Sequence, residues 1–132
     1  MKKLILSIMF LLLSTGVYAD NISVDKVFTQ LAATGNTSTI DISGIRNHTI
    51  MYKITGIATN VVVRPEVSLD GTVWSRMDAS NEDTTILAAD VSATGGYKDE
   101  KSGFAGNLFR VTYVSESGAG IPSVDIKYTG HN

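Results

Sequence analysis

Apolar and polar residues alternate with a period of two along most of the chain, the spacing of strands with one buried face. Thr49–Ile57 shows it most clearly: Ile50, Tyr52 and Ile54 fall on one side, and Met51, Lys53 and Thr55 on the other. Leu108–Ser115 sorts Leu108, Arg110, Thr112 and Val114 from Phe109, Val111, Tyr113 and Ser115. Ser123–Thr129 turns Val124, Ile126 and Tyr128 away from Asp125 and Lys127. Thr39–Ser43 sets Ile40 and Ile42 against Asp41, Thr84–Ala88 is a brief strand, and Asn21–Leu31 alternates loosely around Val24 and Phe28. Between them lie segments of turn residues: Ala32–Ser38, Arg46–His48, Asp78–Asp83, Ala89–Gly96 and Gly118–Pro122. Tyr97–Ser102, with four charges, reads as a solvated loop or the exposed end of a strand.

The strongest local signal is Asp70-Gly71, which separates the β-rich runs Val61–Leu69 and Thr72–Met77. An Asp-Gly step between such runs predicts a hairpin. With a two-residue loop Val67 faces Trp74, so Val61, Val63, Val67, Leu69 and the sole tryptophan share one face. Arg64, Glu66, Ser68 and Ser75 share the other. A three-residue loop with a bulge also suits Asp-Gly, and a slip of one residue moves Trp74 to the side of Arg64 and Glu66. Pro65 has no N–H for a ladder and predicts an edge or bulged position.

About eight strands with turns at regular spacing predict an all-β protein, an antiparallel β-sandwich of jelly-roll-like character. Only Asp83–Val91 admits a helical turn or two.

The N-terminus departs from this pattern. Lys2-Lys3, the apolar run Leu4–Leu13 and the small-residue ending Val17-Tyr18-Ala19 form a signal peptide, cleaved after Ala19. The run is shorter than the roughly twenty residues a spanning helix needs, so the mature chain has no transmembrane segment. Residues 1–19 are therefore the signal and 20–132 a single domain, destined for the periplasm, the cell surface or the medium. Losing two lysines takes the net charge from −2 to near −4, which argues against nucleic acid as a partner. With no cysteine, the fold must rest on apolar burial, helped by self-association. Asn-x-Ser/Thr triplets begin at Asn21, Asn36 and Asn47.

Candidate chemistry is sparse. There is no thiol nucleophile, and His48 and His131 lie in a turn and beside the C-terminus, where no buried acid is placed to orient a base. The chain reads as not an enzyme. Asp78, Asn81, Glu82 and Asp83 offer oxygen ligands to calcium, although Asp and Asn are also the ordinary residues of a β-connection. No other cofactor is expected. Tyr97, Phe104, Phe109 and Tyr113 are candidate glycan platforms, with Trp74 joining them in the alternative register, although each sits at a strand-like position where core packing is the ordinary role. Arg64 and Glu66, paired with Arg110, would make a polar seam.

Glu66-Val67-Ser68-Leu69-Asp70-Gly71-Thr72-Val73-Trp74 resembles the E-G-S-x-D-G-T-x-W hairpin of small β-sandwich domains in phage virion and tail-associated proteins. Val67 stands where that pattern has glycine. A shorter echo, S-x-D-G-x-x-W, occurs in discoidin-like sandwiches. The face-sorting makes Trp74 a core anchor, so Asp70, Gly71 and Trp74 are structural and the hairpin organises the sandwich. The expected function is a secreted structural or adhesive subunit at a cell or virion surface, associating with itself or another surface protein. The alternative is a carbohydrate-binding module using loop aromatics, with or without calcium.

Overall fold

The computed structural model describes residues 24–31, 35–120 and 122–132. The signal peptide and its cleavage point lie outside the described residues.

Ten strands are present among them, all paired antiparallel. In chain order they are β1 (Val24–Leu31), β2 (Gly35–Asn36), β3 (Ile40–Asp41), β4 (Asn47–Thr55) and β5 (Asn60–Ser68). There follow β6 (Ser75–Arg76), β7 (Thr84–Leu87), β8 (Gly96–Ser102), β9 (Leu108–Ser117) and β10 (Ser123–His131). One sheet runs β1-β10-β4-β8; the other centres on β9 and β5, flanked by β2 and β3 on one side and β6 and β7 on the other.

The period-two positions meet between the sheets. Ile50, Tyr52 and Ile54 of β4 and Val124, Ile126 and Tyr128 of β10 are buried against Val61, Val63, Phe109, Val111 and Tyr113 of β5 and β9. The Phe109 and Tyr128 rings, 4.5 Å between centroids, join the layers near the centre. Each such side chain contributes roughly 1.5–3 kcal/mol by leaving water. Among the described residues there is no cysteine, so the fold rests on this burial without disulfides.

Pro65 lies inside β5, a strand paired on both sides. Its carbonyl accepts from Met77 N, so its nitrogen faces the same way, into the break between β6 and β7. No ladder bond is lost there, and proline is accommodated.

β8 is a full edge strand of the first sheet. Tyr97, Asp99 and Lys101 stand opposite Tyr52, Ile50 and His48, whose side chains are inward, so two of its charges point between the sheets. Lys101 Nζ lies 3.3 Å from Asp99 and 3.6 Å from Asp78, and Thr84 Oγ1 donates to Asp99. The sandwich is closed at this flank by polar contacts rather than by apolar packing.

Candidate binding face

The Asp70-Gly71 connection differs from a tight hairpin. Val67 pairs with Ser75 and Glu66 with Arg76, one residue out of the two-residue register, and Leu69 to Trp74 form a loop. Side chains build it. Ser68 Oγ accepts from Gly71 N at 2.9 Å and donates to the Val73 carbonyl. Asp70 Oδ1 accepts from the N–H groups of Thr72 at 2.8 Å and Val73 at 3.1 Å, which hold its carboxyl below the usual carboxylate range. Gly71 supplies φ +77°, which an L side chain rarely adopts. Local side-chain bonds of this kind compete with ladder formation, and here they win.

The loop is also anchored from outside. Asn107 donates through its amide side chain to the Leu69 carbonyl and through its backbone to the Ser68 carbonyl. Gly106 fits beneath, where a Cβ would meet Val67 Cβ at 2.9 Å. Leu69 and Val73 project into solvent from this fixed frame, 72% and 70% exposed. A recess of about 260 Å³, lined by Val67, Leu69, Val73 and Ala105 among others, opens beneath them.

The register moves Trp74 out of the core. It is half-buried on the outer face of the second sheet, its indole N–H donating to the Gly71 carbonyl at 3.0 Å. The Arg110 guanidinium lies 4.0 Å from its ring centroid. The face-sorting that placed Trp74 inside is thereby corrected: apolar character does not set the register where side-chain bonds shape the turn.

Around it the outer face carries two polar clusters. Arg110 Nε donates to Glu66 Oε2 at 2.8 Å, and Thr112 Oγ1 stands 2.7 Å from the same oxygen and 2.7 Å from the Asn36 side-chain amide. One hydroxyl proton serves one acceptor. Donation to Glu66, with the Asn36 amide nitrogen turned toward Thr112, satisfies all three groups. Asp83 accepts from Arg64 Nε and Nη2 at 2.7 and 2.9 Å and from Arg76 Nε at 2.8 Å. The two guanidinium groups, Arg64 first, hold its carboxyl below its ordinary value. Of the expected seam, Glu66 and Arg110 do pair, with Thr112 and Asn36 alongside, whereas Arg64 turns to Asp83 and Arg76 in a second cluster. Nothing in the sequence joins Arg76 or Asn36 to these clusters, because they reach them through pairing to β5 and β9.

The Asp78–Asp83 loop distributes its oxygens differently from a cation cage. Asp78 Oδ1 accepts from the backbone of Ser80 and Glu82, its other oxygen faces Lys101, and Asp83 is occupied by two arginines. Asn81 turns the loop at φ +58° and gives its carbonyl to Arg76. Among the described residues no group of three or more His, Cys, Asp or Glu comes together to hold a metal ion.

Tyr97 and Phe104 are part-buried and packed on the core, Tyr97 against Tyr52 at 6.2 Å between centroids. Among the described residues the aromatic on the outer face is Trp74. His48 also departs from its predicted place: β4 begins at Asn47, and the ring is 2% exposed. Its Nδ1 lies 2.7 Å from the Tyr128 hydroxyl and its Nε2 2.9 Å from the Phe104 carbonyl. A carbonyl only accepts, so Nε2 carries the proton and Nδ1 accepts from Tyr128.

Fold and face define a small antiparallel β-sandwich with a hydrogen-bonded loop carrying Leu69 and Val73 beside an arginine-rich outer sheet surface. The fold is similar to that in the crystal structure of the SPBc2 prophage-derived protein YomS, with a TM-score of 0.50 and 13% sequence identity over 84% of this chain and 96% of that one. No family model and no curated protein matches the chain. Among the described residues no helix is long and apolar enough to cross a membrane.

Proposed function

We propose that this chain is an exported, non-enzymatic β-sandwich that acts as a structural or adhesive subunit at the surface of a virion or cell. The observation that carries the reading is the placement of Leu69 and Val73, two large apolar side chains held in water by a loop whose backbone is hydrogen-bonded from within and from Asn107. Apolar groups exposed on a pre-organised loop lose little entropy on association and are what interface anchors are made of. The fold shared with a prophage-derived protein supports a phage-type setting for such a subunit. In this reading the partner is a second copy or another surface protein, and the sequence pattern of residues 1–19 takes the chain out of the cytoplasm.

The test is light scattering on the processed protein, with N-terminal sequencing to locate the cleavage point. Concentration-dependent oligomers that disappear in a Leu69→Ser, Val73→Ser double variant support the reading. A monomer at every concentration, with no retention on particles or envelopes, removes it.

A further inference from the structure

Arg110 is held in a way that a merely structural salt bridge does not require. Its Nε is bonded to Glu66, its guanidinium lies against Trp74, and its strand is paired on both sides. Its two Nη groups meet no acceptor among the described residues, and the side chain keeps 22% exposure at the surface of the sheet. The other arginines of this face are committed: Arg64 gives two bonds to Asp83, and Arg76 gives one to Asp83 and one to the Asn81 carbonyl. Arg64, Arg76 and Arg110 are matched on this face by Glu66, Asp83 and Asp41, so Arg110 is set apart by its unused donors and not by net charge.

We propose that the Trp74–Arg110 corner is a binding site for a carboxylate-bearing sugar, a uronic or sialic acid residue. A guanidinium fixed through Nε presents its remaining donors as a planar fork, the geometry that takes a carboxylate at two points. Trp74 beside it offers indole surface to the C–H face of a pyranose. The guanidinium lies over the indole at 4.0 Å and covers that part of it, so a sugar meets the uncovered remainder of the ring beside the fork, and charge and ring fall within one residue of the ligand. In an acidic sugar the carboxylate is attached directly to the ring that would stack, whereas an acidic peptide carries its carboxylates on flexible chains without such a ring. Asn36, exposed and paired with Thr112, lies along the same face with an amide for sugar hydroxyls.

The inference rests on the adhesive half of the function proposed above and names what would be adhered to. The mature protein is titrated with galacturonate oligomers and sialyllactose, with lactose and galactose oligomers as neutral counterparts and poly-glutamate as the acidic peptide. Trp74 is the only tryptophan, so its fluorescence reports the corner directly. Saturable change with the acidic sugars and none with the neutral ones is expected. Arg110→Lys, which keeps the charge and loses the fork, should weaken binding by at least about tenfold, the loss of one charge-assisted hydrogen bond. Trp74→Phe, followed by calorimetry, should bind more weakly while melting at nearly the same temperature, and it keeps the test open should Arg110→Lys fail to fold. No response to either acidic sugar, an equal response to the neutral sugars or to poly-glutamate, or full binding by both variants overturns the proposal. Light scattering on the same samples keeps the two readings apart. An assembling protein that ignores acidic sugars sinks only the site, and a monomer that binds them sinks only the assembly.

Discussion

The His48 ring and the Tyr128 hydroxyl, 80 residues apart in the chain, meet at 2.7 Å in the interior, with Tyr128 as donor and His48 Nδ1 as acceptor. This bond exists as described only while His48 is neutral. A proton on Nδ1 would turn acceptor into donor, and the Tyr128 hydroxyl would have to find another acceptor in a wall formed by Ile45 and Gly130.

Stability should therefore fall with mild acid. Burial, opposed in part by the Phe104 carbonyl and reinforced by nearby His131, holds the His48 pKa below its ordinary 6.5. The unfolded chain then binds the proton before the folded one does. The contribution is complete above about pH 6.5 and is lost as pH falls from there through the lower folded value. Melting temperatures recorded from pH 7.5 down to 5 should decline in the native protein and stay flatter in His48→Gln. Asp78 and Asp83, also held below their ordinary 3.8, act only at lower pH. Equal slopes in the two proteins would rule out His48 as the cause.

Trp74 and Phe109 should respond very differently to truncation. Phe109 is fully buried against Tyr128, and Phe109→Ala should cost about 3–5 kcal/mol. Trp74 is half-buried on the outer face and holds Arg110 and the Gly71 carbonyl, so Trp74→Ala should cost only about 1–2 kcal/mol. Urea unfolding measures both, and similar losses would return Trp74 to the core.

The two acidic centres of the outer face differ in redundancy. Removing Glu66, only 8% exposed, leaves the Arg110 guanidinium without its carboxylate, and Glu66→Ala should cost about 1–3 kcal/mol. Arg64→Ala leaves Asp83 still held by Arg76 and should cost under about 1 kcal/mol. A double-mutant cycle on Glu66 and Arg110 should show coupling above about 0.5 kcal/mol.

Gly106 should tolerate no side chain. Gly106→Ala places a methyl group 2.9 Å from Val67 Cβ and 3.2 Å from the Ser68 carbonyl oxygen, neither of which is a flexible chain end. A loss of about 1–3 kcal/mol is expected from the overpacking, with the Leu69–Trp74 loop shifted by the same displacement. Chemical denaturation gives the first quantity, and amide shifts of Thr72 and Val73 report the second.

The strands with one wet face were legible in the sequence. Ile50, Tyr52 and Ile54, and likewise Val124, Ile126 and Tyr128, occupy the inward positions that alternation assigns them. β5 was harder to read, because Pro65, Glu66, Val67 and Ser68 are buried in succession under both the core and the outer polar clusters. Burial there does not alternate, although Val61, Val63 and Val67 still fall inward and Arg64 and Glu66 outward as the sequence sorts them. β8 was hidden for the opposite reason: a strand whose inward positions are Asp99 and Lys101 carries the composition of a loop. His48 sat between Asn47 and Thr49 in what looks like turn chemistry, and only the pairing to Lys101 and Gly130 makes it a strand residue. The candidate face depended on the register of one loop, which Ser68 and Asp70 decide through bonds that hydrophobic patterning does not contain.

The inward charges of β8 also govern how molecules of this chain can meet. A strand laid along that edge by another copy would have to continue a ladder whose buried side is already filled by an aspartate and a lysine bonded to their own sandwich. An intruding apolar strand finds no matching surface there, and one that displaced Lys101 would strand Asp99. Edge-to-edge pairing is disfavoured on that flank, and two side chains are enough to do it.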